Sequence, residues 1–349
     1  MCEKEKNIKM SSKHILYYDI LNILACISVV YMHSNGIVHT YSDTSAWRQS
    51  MFVESVCYWA VPVFFMLSGA TLLNYQERYT TKIYLKRRLV RVGIPFIAWS
   101  IISLIWKCYS GTLIVKRSAR EIISLIFNSE IENVYWFFIP LFSIYLSIPV
   151  LAKIRQERKM LKYMLICGIT TYSILPTICA LMGIKYNNNF LFPLAGGYII
   201  YVILGYYIST MDIERRKRYC IYILGIFCLA LRYCSTVVLS EEGELYTMFW
   251  GYTNFPAVGL SLSVFVLFKY IDWARYINKE KVKRLIISIS ASSFGIYLIH
   301  MFVLNEIWEY GVTGYSLKWR VLGAPLVYIF CLGVIQVIKR IPVLNKLVP

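Results

Sequence analysis

Runs of about twenty apolar residues recur along this chain, separated by short clusters of lysine and arginine. A helix of about 20 apolar residues is long enough to cross the hydrocarbon core of a bilayer. Hydrophobic residues make up 58% of the 349 positions and charged residues only 16%. Because a soluble domain of this size could not bury so much apolar surface, the sequence predicts an all-α, polytopic membrane protein.

The positions of the apolar runs predict about ten transmembrane helices. The predicted spans are Ile15–Ile37, Met51–Asn74, Leu89–Tyr109, Val134–Ala152, Leu161–Gly183, Phe190–Ser209, Tyr219–Leu239, Leu245–Phe268, Leu285–Ile307 and Val321–Ile338. The weakest division is the short link at Ile184–Asn189, and eleven spans is the alternative count.

The basic residues predict the orientation of these spans. Most of the 37 lysines and arginines fall on one side if both termini are cytoplasmic, and the opposite loop Ser240–Glu244 has three glutamates and no base. This distribution is typical of cytoplasmic loops and of contact with anionic membrane lipids. Nucleic-acid binding is not predicted, because the bases are divided among loops rather than gathered on one face.

The chain is expected to form one transmembrane domain, residues 15–338, between two cytoplasmic tails, residues 1–14 and 339–349. No small-residue cleavage site follows the first apolar run, so we expect that span to be retained. The ten cysteines are scattered without a C-x-x-C pair, and no Cys/His cluster predicts a metal site. No Walker A, G-x-S-x-G or HExxH motif is present.

Two of the four histidines lie inside predicted spans: His33 in the first and His300 in the ninth. An ionisable residue at membrane depth is a functional-site candidate, and histidine exchanges protons near neutral pH. At 1.5 Å per residue the two lie about 27 Å and about 22 Å above the starts of their parallel spans. We therefore expect both imidazoles in the outer half of the membrane, close enough in depth to meet, although each could also be a buried, hydrogen-bonded histidine.

The third span begins with a basic cluster that contains Arg87, Arg88 and Arg91. Residues three apart share a face of an α-helix, so Arg88 and Arg91 are predicted to bind one anionic group together. The alternative interpretation is ordinary snorkelling of arginines at the membrane interface.

Other polar residues within spans are candidates for a substrate cavity: Asp19, Asn22, Arg232 and Glu54. Arg232 requires a partner, and Glu54, Glu306 or an anionic substrate are the candidates. In the second span, Ser68 and Gly69 predict close approach of a neighbouring helix.

Six segments in order along the chain resemble the acyltransferase-3 family of integral membrane acyltransferases, which includes bacterial O-acetyltransferases of surface polysaccharides. The segments are Tyr18–His33 (YDILNILACISVVYMH), Val61–Gly69 (VPVFFMLSG), Arg88–Pro95 (RLVRVGIP), Trp136–Pro149 (WFFIPLFSIYLSIP), Ile203–Ile208 (ILGYYI) and Ser293–His300 (SFGIYLIH). They extend over nearly the whole chain.

The resemblance implies a reaction. A catalytic histidine late in the first span corresponds to His33, as general base or acyl carrier, and the family's R-x-x-R for the acyl-CoA donor corresponds to Arg88 and Arg91. His300 is expected to orient the acceptor or stabilise an oxyanion. The implied co-substrate is acetyl-CoA, with no bound cofactor, and the implied acceptor is a hydroxyl of a cell-surface or lipid-linked glycan at the bacterial cytoplasmic membrane.

One position departs from the family pattern, which usually has a basic residue eleven positions before the histidine. Here that position is Asn22. Either another base such as Arg232 supplies the charge, or the donor binds in a different geometry. Two other functions stay open: a polysaccharide exporter or transporter of the same membrane family, against which the absence of an inverted repeat counts, and a sensor or structural membrane protein.

Overall fold

A computed structural model describes residues 15–114 and 118–349, and the predicted basic tail of residues 1–14 lies outside them. In this part of the chain the regular structure is helical, without β-strands. The first half forms α1 Leu16–Ser34, α2 Ser45–Cys57, α3 Ala60–Leu72, α4 Thr81–Arg88, α5 Ile94–Tyr109, α6 Ala119–Phe127, α7 Phe138–Ile154 and α8 Arg158–Ile169. The second half forms α9 Leu175–Leu181, α10 Ile199–Thr210, α11 Arg215–Leu239, α12 Phe255–Tyr270, α13 Trp273–Tyr276, α14 Glu280–Ser290, α15 Ser293–Glu309 and α16 Leu317–Ile338.

Within the described residues, seven helical stretches are long and apolar enough to cross a membrane. They are Leu16–Ser34, Ser45–Glu77, Thr81–Tyr109, Asn133–Ile154, Arg158–Leu181, Arg215–Leu239 and Leu317–Ile338. If the bent pair α14 and α15 is counted as one span, the number of candidate spans rises to eight. Helices α10 and α12 are apolar but shorter. The all-α, polytopic class is confirmed, while the count of ten and the cytoplasmic placement of both ends stay predictions.

Two predicted spans are longer than the helices that form. The sixth was expected to begin at Phe190, but α10 begins only at Ile199, after the irregular stretch that contains Pro193 and Gly197 with φ +53°. The eighth was expected to begin at Leu245, but α12 begins at Phe255, with Pro256 in its first turn. Proline and glycine interrupt the backbone ladder in both places, and irregular backbone at membrane depth is tolerated only where protein or water surrounds it.

Close packing at Gly69 is confirmed. A Cβ added to Gly69 would lie 1.9 Å from the carbonyl oxygen of Val202 on α10, and one added to Gly205 would lie 2.0 Å from that of Met66 on α3. Side chains at either glycine would push α3 and α10 apart. Small residues therefore fix the tightest crossing of the bundle.

The helix that contains His300 is broken. The axes of α14 and α15 differ by 55° at a break around Ala291. A break leaves backbone carbonyls without helical partners, and side chains from other helices satisfy them here. The amide of Asn22 donates to the Ser290 carbonyl at 2.9 Å, and the Lys339 ammonium donates to the Ala291 carbonyl at 2.7 Å.

Two ends of the bundle serve as reference points below. The basic end is where α1 begins and where α4 lies, and the histidine end is where α1 finishes at Ser34 and α16 begins at Leu317. Charge predicts that the basic end faces the cytoplasm.

Candidate active site

The two intramembrane histidines meet. Nδ1 of His33 lies 2.7 Å from Nε2 of His300, and the two ring planes are inclined by only 15°. His300 is completely buried, whereas His33 retains some accessible surface. Of the pair, His33 is therefore the more accessible residue.

A backbone carbonyl fixes the protons on both rings. Nδ1 of His300 lies 2.7 Å from the carbonyl oxygen of Tyr297, and a carbonyl can only accept a hydrogen bond. Nδ1 of His300 must therefore have the proton, which leaves Nε2 of the neutral ring as an acceptor. Nδ1 of His33 donates to that acceptor, so the remaining nitrogen of His33, Nε2, has a free lone pair. This arrangement prepares His33 to take a proton from a substrate.

A cavity of about 320 Å³ lies between the basic end and the histidine pair. Its polar lining includes Asp19 and Asn22 from α1, Arg88 from α4, and Ser290 and Ser293 from the two sides of the break in the ninth predicted span. Apolar side chains of α3 and α7 form much of the remaining wall.

Tyr297 lies at the boundary between this cavity and the histidines. Its ring lines the cavity, and its centroid is 5.6 Å from that of His300. The Tyr297 hydroxyl donates to the carbonyl of Val134, while the hydroxyl of Tyr135 donates back to the carbonyl of Leu298 at 2.7 Å. This exchange fixes α15 against the segment that precedes α7, and it fixes the Tyr297 ring between the cavity and His300.

The arginines of the basic cluster separate in the structure. Arg88 lines the cavity, with its guanidinium 5.9 Å from the Tyr84 ring centroid and 5.7 Å from that of Tyr145. Arg91 is exposed and is not among the cavity-lining residues. A π-helical turn, Leu89–Gly93, alters the residue spacing between them, so the expected shared face of an α-helix does not form. Arg87 is also exposed, with its guanidinium over the Tyr79 ring.

The expected substrate-cavity residues divide into two groups. Asp19 and Asn22 line the cavity, as expected. Arg232 and Glu54 do not line it: they form a buried pair, with Nη2 of Arg232 3.8 Å from Oε1 of Glu54. Glu54, rather than Glu306, is therefore the partner of Arg232.

Around this pair, planar groups stack at the histidine side of Tyr297. The Arg232 guanidinium lies 3.4 Å from the Tyr58 ring centroid, the Tyr58 ring stacks on Tyr252 at 4.3 Å, and the Tyr252 ring stacks on Trp136 at 5.5 Å. Arg232 also donates to the carbonyl of Phe249 at 2.8 Å. The pair thus holds the irregular segment before α12 against α2, which is a positioning task.

Tyr297 was missed in the sequence, although a signal was present. It lies three residues before His300, and that spacing places two residues on one face of an α-helix. The carbonyl that fixes the His300 proton also belongs to this residue. The ring contacts of Tyr252 and Trp136, in contrast, depend on long-range packing that sequence spacing does not show.

Comparison with known proteins gives one family. The model of a family described as an acyltransferase domain matches residues 15–339, nearly the full length of the chain. Searches of curated proteins and of solved structures found no match.

Proposed function

The chain belongs to the acyltransferase-3 family, and from that premise we propose that it transfers an acetyl group from acetyl-CoA to a hydroxyl of a cell-surface or lipid-linked glycan in the bacterial cytoplasmic membrane. The observation that supports this best is the chain of hydrogen bonds from the Tyr297 carbonyl through His300 to His33. It leaves one basic nitrogen at the accessible end, which is what activation of a hydroxyl nucleophile requires.

The donor enters this proposal from the basic end. The phosphates of CoA bind near Arg88, because a guanidinium at the cavity wall pairs well with a phosphate group. The acyl arm then extends through the cavity towards Tyr297. Arg87 and Arg91, both exposed, increase the positive potential at the entrance rather than contact the acyl arm.

Beyond Tyr297, which lines the cavity, His33 acts as general base. Nε2 of His33 takes the proton from the acceptor hydroxyl while the oxygen attacks the thioester carbonyl carbon. The carbon–sulfur bond then breaks, and the proton passes from His33 to the departing sulfur, which leaves as the free thiol of CoA. The role of His300 is to hold Nδ1 of His33 protonated and the ring oriented.

The test is label transfer by the purified protein, supplied with acetyl-CoA labelled in the acetyl group and with membrane glycan. We expect His33→Ala to lower the transfer rate about 10²- to 10⁴-fold, the usual contribution of a general base. His39→Ala is the matched control, since His39 is an exposed histidine six residues away outside the helix, and its rate should be unchanged.

Two results would contradict the proposal in different ways. Transfer that survives in the His33→Ala protein would remove the general-base role. Absence of CoA release by the unaltered protein with every glycan acceptor tried would remove the acyltransferase assignment and favour the polysaccharide exporter.

A further inference from the structure

A second cavity, of about 510 Å³, lies at the histidine end between α2, α11 and the beginning of α16. Its lining combines two arginines with several apolar side chains. The polar lining includes Arg48, Arg320 and Gln49, whose amide oxygen accepts a hydrogen bond from Arg320, and the apolar lining includes Phe52, Tyr233 and Val321.

Arg320 is the unusual residue of this cavity. Its side chain is only 9% exposed, and its hydrogen bonds go to neutral acceptors: the carbonyls of Gly314 and Tyr315 and the amide oxygen of Gln49. Its Nε is buried without a hydrogen-bond partner, and among the described residues it has no ion pair with a carboxylate. A buried charge is costly unless it is paired, so this guanidinium lacks its counter-ion.

Arg48 adds a second positive charge at the mouth of the cavity. Its guanidinium pairs with Asp43 at 2.5 Å, but both side chains are exposed, and exposed pairs are weak and exchange readily. Two guanidiniums line this cavity, one of them without a carboxylate partner, and guanidinium groups pair well with phosphate.

The apolar lining of the cavity indicates that the phosphate belongs to a lipid. Phe52 and Val321 are each more than half exposed, and both lie at the starts of predicted membrane spans. A free phosphate would not use this surface, whereas the first carbons of a lipid chain would cover it.

The cavity is joined to the end of α1 that contains His33. The hydroxyl of Tyr31, two residues before His33, donates to the carbonyl of Val321 at 3.0 Å, and the indole of Trp319 donates to the carbonyl of Ser34 at 2.9 Å. Two hydrogen bonds therefore hold the beginning of α16 against the α1 turn that contains His33.

We propose that the cavity between Arg48 and Arg320 binds the phosphate of an anionic lipid, with its hydrocarbon chain along Phe52 and Val321, and that this lipid is the one to which the acceptor glycan is attached. The identification of this lipid with the glycan carrier rests on the proposed acyltransferase function, whereas the phosphate-binding site does not. A sugar anchored there would be held at the same end of the bundle as His33.

Binding is tested with purified protein in neutral detergent, with farnesyl phosphate as the probe. We expect Arg48→Gln combined with Arg320→Gln to weaken its binding at least about tenfold, because two charge-assisted contacts are lost. Lys318→Gln is the matched control, since Lys318 is an exposed base on the same turn of α16 outside the cavity, and binding should be unchanged. Arg48→Gln alone, a change at an exposed residue, keeps the test valid if loss of Arg320 prevents folding, and we expect it to weaken binding severalfold.

Further probes distinguish the sources of the phosphate. Farnesol and inorganic phosphate should each bind at least about tenfold more weakly than farnesyl phosphate, since farnesol lacks the phosphate and inorganic phosphate lacks the hydrocarbon chain. Equal binding of inorganic phosphate would overturn the lipid assignment, and equal binding by the double variant and the Lys318→Gln control would overturn the site.

The link to the acceptor is tested separately, by kinetics. In the double variant, we expect KM for a lipid-linked acceptor to rise with little change in kcat, while KM for a lipid-free oligosaccharide stays the same. An equal change for both acceptors would overturn the link. Because the farnesyl phosphate measurement needs no acyl-CoA, failure of the acyltransferase proposal would leave that result interpretable.

Discussion

The two sides of Tyr297 differ in how much empty space they contain. Towards the basic end lies a cavity of about 320 Å³ with Arg88, Asp19 and Asn22 in its wall. On the histidine side of Tyr297, stacked planar groups fill the space, from Trp136 and Tyr252 to Tyr58 and Arg232. The second cavity, between α2, α11 and α16, is a separate space at the histidine end. In the proposed reaction the side that receives the donor is therefore preformed, whereas the acceptor approaches His33 beside packed side chains held by hydrogen bonds to irregular backbone.

Tyr297 lies at the boundary between the open cavity and the packed rings. The Tyr297 ring separates the open side from the packed side, and the Tyr297 carbonyl fixes the proton of His300. In the proposed reaction, an acyl group that passes from the cavity to His33 would have to move past this ring. Under that proposal, the ring would keep water from the thioester until an acceptor is present.

Substitution of His300, on the packed side of Tyr297, is expected to lower the acetyl-transfer rate more than the changes described below. His300→Ala removes the acceptor that keeps Nδ1 of His33 protonated, and we expect a rate about 10²-fold lower, the lower end of acid–base contributions. His300→Gln retains an oxygen that can accept from His33, so it should recover part of the rate in the label-transfer assay. Identical rates for the two variants would show that the proton arrangement is unimportant.

Next comes Tyr297 itself. Tyr297→Ala opens the boundary, so we expect release of CoA without acceptor to rise about tenfold and the acetyl groups transferred per CoA released to fall, because water then reaches the thioester. Tyr297→Phe keeps the ring and loses only the hydrogen bond to the Val134 carbonyl. The number of acetyl groups that it transfers per CoA released should stay near that of the unaltered protein. A ratio that is unchanged in both variants would mean that the ring does not close the route.

A smaller effect is expected at the open side, where the two arginines of the family motif are compared. Arg88→Ala should raise KM for acetyl-CoA roughly tenfold, since a guanidinium–phosphate contact is worth about 1.5–3 kcal/mol. Arg91→Ala should raise it by less than about threefold, because Arg91 is exposed outside the cavity. Equal increases would indicate that the donor binds across both residues.

The smallest effect is expected from Asn22→Ala. The Asn22 amide satisfies the Ser290 carbonyl at the break between α14 and α15, and loss of one such bond costs about 1 kcal/mol. We expect a small decrease in the apparent thermal unfolding temperature in detergent. If KM for acetyl-CoA rises as much in Asn22→Ala as in Arg88→Ala, Asn22 contacts the donor instead.

The pattern of apolar runs was sufficient to predict the fold class, and matched depth on parallel spans was sufficient to place His33 near His300. Helix periodicity failed at Arg91, because a π-helical turn cannot be recognised from residue spacing. It also failed at the starts of α10 and α12, where apolar residues such as Phe192 and Phe249 lie in irregular segments. The pairing of Arg232 with Glu54 and the cavity beside Arg320 depend on which helices touch, which hydropathy does not determine.

The central claim is that donor and acceptor reach His33 from opposite ends of the bundle. Inverted membrane vesicles test it most directly: the cytoplasmic face is outward, labelled acetyl-CoA is added outside, and acceptor glycan is enclosed. We expect label on the enclosed glycan and none when His33 is replaced by alanine. Labelling that occurs only when acetyl-CoA and glycan are on the same side of the membrane would contradict the account.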